Sequence, residues 1–154
     1  MQNDRTAGNL QNSILLVNAD GSQRSVLFHD TERSALAPAW SPNGAWIAFG
    51  IGGFFQRTNG ASPADIALVR SDGNDLRVLT DGTGNSGFPN WSPDSTQLVY
   101  RSSGDDQDGI HIIDVRTHAV RVLSTGLSHE NLPTWSPKGD RIAFTANQDE
   151  IVSI

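Results

Sequence analysis

The side chains of this 154-residue chain that could do chemistry are few, with four histidines and no cysteine among them. His29-Asp30 and His129-Glu130 each set an imidazole beside a carboxylate, a pairing suited to proton transfer or to metal binding. Asp105-Asp106-Gln107-Asp108 adds an acidic run. A metal would need three or more converging ligands, and no recognised ligand spacing is present. The acidic run departs from the twelve-residue calcium-loop pattern. No serine stands in a Gly-x-Ser-x-Gly context, and no glycine loop follows nucleotide-binding spacing. The sequence therefore offers no catalytic residue, no metal set and no cofactor motif, and both clusters read as structural or solvated groups.

Composition narrows the partners. A net charge of −6 and a single lysine, Lys138, leave no basic face for nucleic acid and no polybasic segment for an anionic membrane surface. No apolar run approaches the roughly 20 residues that a spanning helix needs. The first dozen residues are polar and lack the apolar centre of a signal peptide. Fifteen glycines and seven prolines, without long helical periodicity, point to short strands joined by turns.

An internal repeat organises those strands. Pro38-Ala39-Trp40-Ser41-Pro42 recurs as Pro89-Asn90-Trp91-Ser92-Pro93 and as Pro133-Thr134-Trp135-Ser136-Pro137. Each copy precedes a turn and a short apolar run, Trp46 to Phe49, Gln97 to Tyr100 and Arg141 to Phe144. A second half-repeat begins at Ile14, Ile66 and Ile110, and a leucine follows 13 residues later each time, at Leu27, Leu79 and Leu123. Four strands per repeat follow. Strand A is Pro-x-Trp, strand B the Ile-Ala-Phe type, strand C the Ile-x-Leu/Ile-Val type, and strand D the Arg-Val-Leu type. Asp20-Gly21 and Asp72-Gly73 suit the hairpins between C and D, whereas Arg116-Thr117-His118 requires a different turn. His111 aligns with Leu15 and Ala67 and is expected to pack within strand C.

Four short antiparallel strands repeated every 40 to 50 residues predict an all-β fold of propeller blades. The Trp-Ser-Pro turn followed by Ile-Ala-Phe and an Asp-Gly hairpin resembles the TolB-type, WD-repeat-like propeller repeat over residues 14–154. Trp40, Trp91 and Trp135 are expected to fill equivalent spaces between blades. Residues 1–13 are read as a disordered or extended segment, and residues 14–154 as a half-propeller holding three four-stranded blades' worth of strands. Those strands are offset by half a blade: C-D, two full A-B-C-D sets, then A-B. Two chains would close a six-bladed ring, each completing the other's open blade as a homodimer. The competing reading is a fragment of a longer chain, since Glu150 to Ile154 begins to look like another strand C.

Propeller function gathers on the rim where the D-to-A and B-to-C connections meet. Trp40 to Ile66 spans 26 residues against 19 from Trp91 to Ile110, so residues 51–60 form an insertion that carries Phe54 and Phe55. Adjacent exposed aromatics tend to mark contacts. The expected function is a non-enzymatic module that binds a peptide or protein across the rim and channel through Phe54, Phe55, His29, Phe88, His129 and Glu130. The resemblance implies a periplasmic adaptor that docks partner proteins on its propeller. The alternative it leaves open is a fragment or scaffold of a hydrolase or polysaccharide lyase, with a rim site built on His29, His129 and Glu130.

Overall fold

The computed structural model describes residues 12–53, 63–104, 108–123 and 125–147, and among these residues it contains strands and turns but no helix. Strands β1 (Ile14–Leu16) and β2 (Ser25–Phe28) pair as a two-stranded sheet. A four-stranded sheet follows, of β3 (Ser34–Trp40), β4 (Trp46–Gly52), β5 (Asp65–Arg70) and β6 (Arg77–Val78). A second contains β7 (Gly87–Trp91), β8 (Gln97–Ser102), β9 (Gly109–Asp114) and β10 (Val120–Leu123). The last pair is β11 (Ser128–Trp135) with β12 (Ile142–Asn147). Every pairing is antiparallel between strands adjacent in sequence, the meander predicted from the repeat.

The registers repeat residue for residue. Trp40 faces Ile47, Trp91 faces Leu98 and Trp135 faces Ile142. Ile47 faces Val69 and Leu98 faces Ile113. Leu15 faces Val26, Ala67 faces Val78 and His111 faces Val122.

The Trp-Ser-Pro motif now has a mechanism. In each copy the serine amide donates to the carbonyl that opens strand B, at Trp46, Gln97 and Arg141. The serine hydroxyl accepts the amide of that same residue at 2.9, 2.9 and 3.2 Å. It also donates to Asn43, Asp94 or Asp140. The turn needs one left-handed residue, taken by Gly44 (φ 71°), Ser95 (φ 61°) and Gly139 (φ 75°). Ser95 accepts that conformation and uses its hydroxyl to receive the amide of Asn43 from the neighbouring turn, at 3.1 Å. The third C-D hairpin does differ, with His118 left-handed in place of the Gly21/Gln23 and Gly73/Asp75 pairs.

Alternation along each strand supplies apolar side chains to both faces, so the sheets stack in chain order with a core at each of three seams. The first joins Ile14, Leu16, Leu27 and Phe28 to Ile47, Phe49 and Val69. The second joins Ala48, Ile66, Leu68 and Leu79 to Trp91, Leu98, Tyr100 and Ile113. The third joins Val99, Ile110 and Ile112 to Trp135, Ile142 and Phe144.

The three tryptophans are not equivalent. Trp91 is 5% exposed and its indole donates to the Ala39 carbonyl across the second seam, at 3.0 Å. Trp135 is half-buried, whereas Trp40 is 54% exposed. The strand alignment is not at fault, because the registers agree. Each tryptophan packs against the sheet before it, and for Trp40 that sheet is β1–β2, which has no A or B strand among the described residues.

Two variants separate packing from backbone strain. Trp91→Ala should lose about 3–5 kcal/mol of unfolding free energy in urea, as large buried aromatics do. Gly44→Ala, where an added Cβ meets nothing within 4 Å, should lose only about 1–2 kcal/mol, from its left-handed φ alone.

Candidate functional site

The inner strands carry the candidate site. β3 lies against β7 and β7 against β11, whereas β2, β6 and β10 pack chiefly on their own sheet partners. The sheets therefore converge at strand A and fan apart at strand D, as propeller blades do about an axis. β3, β7 and β11 each end their sheet, so their inner edges carry backbone groups outside the sheet ladders.

Each inner strand is bent just before its repeat proline, and β11 is bent a second time near His129 (φ 55°). The residue before the repeat proline is left-handed, with φ of 52° at Ala37, 56° at Phe88 and 49° at Leu132. Proline disfavours the right-handed helical region for its predecessor. The ladder slips at the same step, between Leu36 and Ala39, Gly87 and Asn90, and Asn131 and Thr134. Such bulges re-aim side chains. They set three apolar residues at one repeat position of three neighbouring inner strands, with Leu132 52% exposed and Phe88 half-buried.

The rim above these strands is polar and internally satisfied at the first complete seam. Asp65 accepts from Thr80 Oγ1 at 2.5 Å and from the Gly82 amide at 2.8 Å. The Ser86 amide donates to the Ala64 carbonyl at 2.7 Å, and the Ala35 amide to Asn12 at 2.9 Å, so one link recurs between sheets. In the third copy Glu130 stands at that position. Its Oε2 accepts the Ile110 amide at 3.1 Å, while Oε1 is buried without a hydrogen-bond partner. Gly109 makes room for it, since a Cβ there would sit 2.7 Å from the carboxylate.

The sequence-predicted residues separate into two groups. Phe88, His129 and Glu130 lie on the adjoining strands β7 and β11. His29 follows β2 at the other end of the stack, where its Nδ1 is 2.9 Å from Ser13 Oγ. Asp30 is tied to the Glu32 amide and to Arg33, which hold its carboxyl below the usual range. The two histidine–acid pairs thus occupy different repeat positions, His29 matching Asp81 and His129 matching Asn85. Phe54 and Phe55 lie outside the described residues. Among the described residues no three His, Asp or Glu side chains are grouped to hold a metal ion.

A cleft between the two complete sheets escaped sequence reasoning. It encloses about 620 Å³ and is lined by Asp81, Thr83, Tyr100, Ser102, His111 and His118, among others. Tyr100 faces His111 across β8 and β9, with ring centroids 5.4 Å apart. Burial pushes the Tyr100 phenol up to about 12, and the negative charge of Asp81 acts in the same direction. The available signal was Tyr100 and His111 standing where other copies carry Phe49 and Ala67.

Comparison with known proteins agrees with this architecture. The family model described as the TolB beta propeller domain matches residues 2–152. TolB from Acinetobacter baumannii superposes with a TM-score of 0.71 at 22% identity, over 89% of this chain and 32% of that one. A putative TolB from Agrobacterium tumefaciens gives 0.55 at 20% identity, over 90% of this chain and 63% of that one. An oligogalacturonate lyase solved with manganese gives 0.61 at 18% identity, over 82% of this chain and 34% of that one. The chain thus spans between about a third and two thirds of the length of these structures. No curated protein sequence matches it.

Tyr100 is the only tyrosine, so an ultraviolet titration reads this cleft alone. The phenol should ionise near 12 in the folded chain, against about 10 once unfolded in urea. The unfolded state loses its proton first, so the stability this group contributes is intact below about pH 10 and is lost as pH rises toward 12. A folded-state midpoint near 10 would show an open, solvated ring.

Proposed function

Since the chain belongs to the TolB β-propeller family, we propose that it is a non-enzymatic interaction module that binds a peptide or protein segment on its rim and inner channel. The observation that carries this reading is the row formed by Ala37, Phe88 and Leu132. Apolar side chains on bent inner strands, beside backbone edges free of a ladder partner, suit an extended apolar segment. His129 and the buried carboxylate of Glu130 stand at the rim end of the same strand. Phe54 and Phe55, outside the described residues, and His29, at the other end of the stack, are proposed as further contacts for a partner.

The complete unit in this reading is a ring of six blades made from two copies. Among the described residues, two four-stranded sheets with a two-stranded sheet at each end hold three blades' worth of strands. Each half-blade is open toward strands that the other half-blade carries.

A displayed library of seven-residue peptides, panned against the chain, tests the site. Enriched peptides should lose affinity by about tenfold or more on Leu132→Asp and on Phe88→Ala, the cost of removing a central anchor. Tryptophan fluorescence reports that each variant keeps its fold. Peptides indifferent to both substitutions, or mapping to the Ser-Pro turns at the opposite end, would refute the assignment.

A further inference from the structure

The cleft between the two complete sheets lies where the repeat changes its chemistry. The first seam supplies the comparison. There the Phe28 ring packs on Phe49, with centroids 5.1 Å apart, and Ala35, Ile51 and Ala67 belong to the same buried cluster. One repeat further along, those positions are held by Thr80, Tyr100, Ser86, Ser102 and His111. Register fixes the correspondence independently of the sequence match. Phe49 opposite Ala67 becomes Tyr100 opposite His111, and Ile51 opposite Asp65 becomes Ser102 opposite Gly109. All five replacements line the cleft, and each puts a hydrogen-bonding group where the first seam has an apolar one.

One of these changes also opens the space. Thr80 stands in place of Phe28, and its hydroxyl is committed to Asp65 and to the Ile66 amide. The position that a phenyl ring fills in the first seam therefore falls within the cleft, whose volume of about 620 Å³ is that of a small-molecule site. Buried polar groups are costly unless they are partnered. Ser86 Oγ and Ser102 Oγ lie 3.1 Å apart and satisfy one bond between them. Tyr100 is 3% exposed, yet among the described residues its hydroxyl has no hydrogen-bond partner. A buried phenol ordinarily has one.

We propose that this cleft is a second binding site, separate from the row on the inner strands, and that it takes a neutral polyhydroxylated ring, a monosaccharide unit.

The lining selects that class of ligand. Its buried side chains, Ser86, Ser102, Tyr100 and His111, include no carboxylate, lysine or arginine, so a charged group would lose its water there without a counter-charge. Hydroxyls and imidazole nitrogens can donate or accept, and sugar hydroxyls do the same. The Tyr100 and His111 rings, with centroids 5.4 Å apart, offer an aromatic surface whose negative faces suit the C–H side of a sugar ring. Asp81 is the single carboxylate of the lining and is itself exposed. Its Oδ1 accepts the amide and hydroxyl of Thr83 at 3.2 and 2.7 Å, and these bonds hold the carboxyl below its usual range. An ionised group there can accept a ligand hydroxyl and disfavours an acidic sugar.

Tyr100 is the chain's single tyrosine, so nuclear magnetic resonance of isotope-labelled tyrosine reads this cleft alone. D-glucose, D-galactose and D-mannose, each titrated into the millimolar range, are the probes, with D-glucuronate and putrescine as charged comparators. At least one neutral sugar should shift the Tyr100 signals saturably, and neither charged probe should. Thr80→Phe, which returns the ring of the first seam, should abolish that shift. Ser102→Ala removes a hydroxyl without filling the space and should weaken binding about tenfold or more, a readout that stands even where Thr80→Phe fails to fold. Peptides selected on the rim should bind Ser102→Ala as they bind the unaltered chain, which keeps the two sites distinguishable. No saturable shift with any neutral sugar overturns the proposal, as does a shift with putrescine or glucuronate alone. Sugar binding indifferent to both substitutions overturns its placement in this cleft.

Discussion

The two complete sheets are apolar on both faces, and that constraint governs the rest of the molecule. In β4, Ile47, Phe49 and Ile51 supply one seam and Ala48 the next, and all four are essentially inaccessible. In β8 and β9, Leu98, Tyr100 and Ile113 face backward while Val99, Ile110 and Ile112 face forward. At roughly 25 cal/mol per Å² of apolar area, an uncovered face costs more than a small domain can bear. A single sheet is thus unstable alone, and the repeat is the means by which each sheet meets a neighbour of matching shape. Cross-seam bonds, from Trp91 to Ala39 and from Asn43 to Ser95, fix how the neighbours sit without adding much burial.

Much of this was legible in the sequence because the repeat is strict. Thirteen residues from isoleucine to leucine, three times over, fixed the C and D strands, and each falls where the spacing put it. The serine of Trp-Ser-Pro could be recognised as a turn residue, but its double role toward one backbone group emerges only from coordinates. Trp40 shows where repeat logic stops. Identical residues acquire identical environments only when their neighbours are also repeated, and among the described residues the sheet before Trp40 holds only two strands.

The candidate site was less legible, for a physical reason. Its defining feature is a backbone conformation at Ala37, Phe88 and Leu132 that sequence pattern does not encode, because none of the three is glycine, asparagine or aspartate. A residue before proline is ordinarily extended with negative φ, so the left-handed bend at these three positions is not encoded by the proline alone. His29-Asp30 and His129-Glu130 share a dipeptide pattern but not a strand phase, since His29 follows the outer strand β2 and His129 stands on the inner strand β11. A dipeptide match without strand phase carries no spatial information.

The inner strands carry backbone strain at one repeated step. Holding a non-glycine residue left-handed costs about 1–2 kcal/mol, and the chain does so at the same step in three successive sheets. A fold selected for stability alone would place glycine there. Ala37, Phe88 and Leu132 instead place side chains of different bulk at one repeat position. The structural part of the motif is the proline with its bulge, identical in all three copies. The variable part is the residue that the bulge turns toward the inner edge. This division keeps the blade register fixed while the residue before each proline differs from copy to copy.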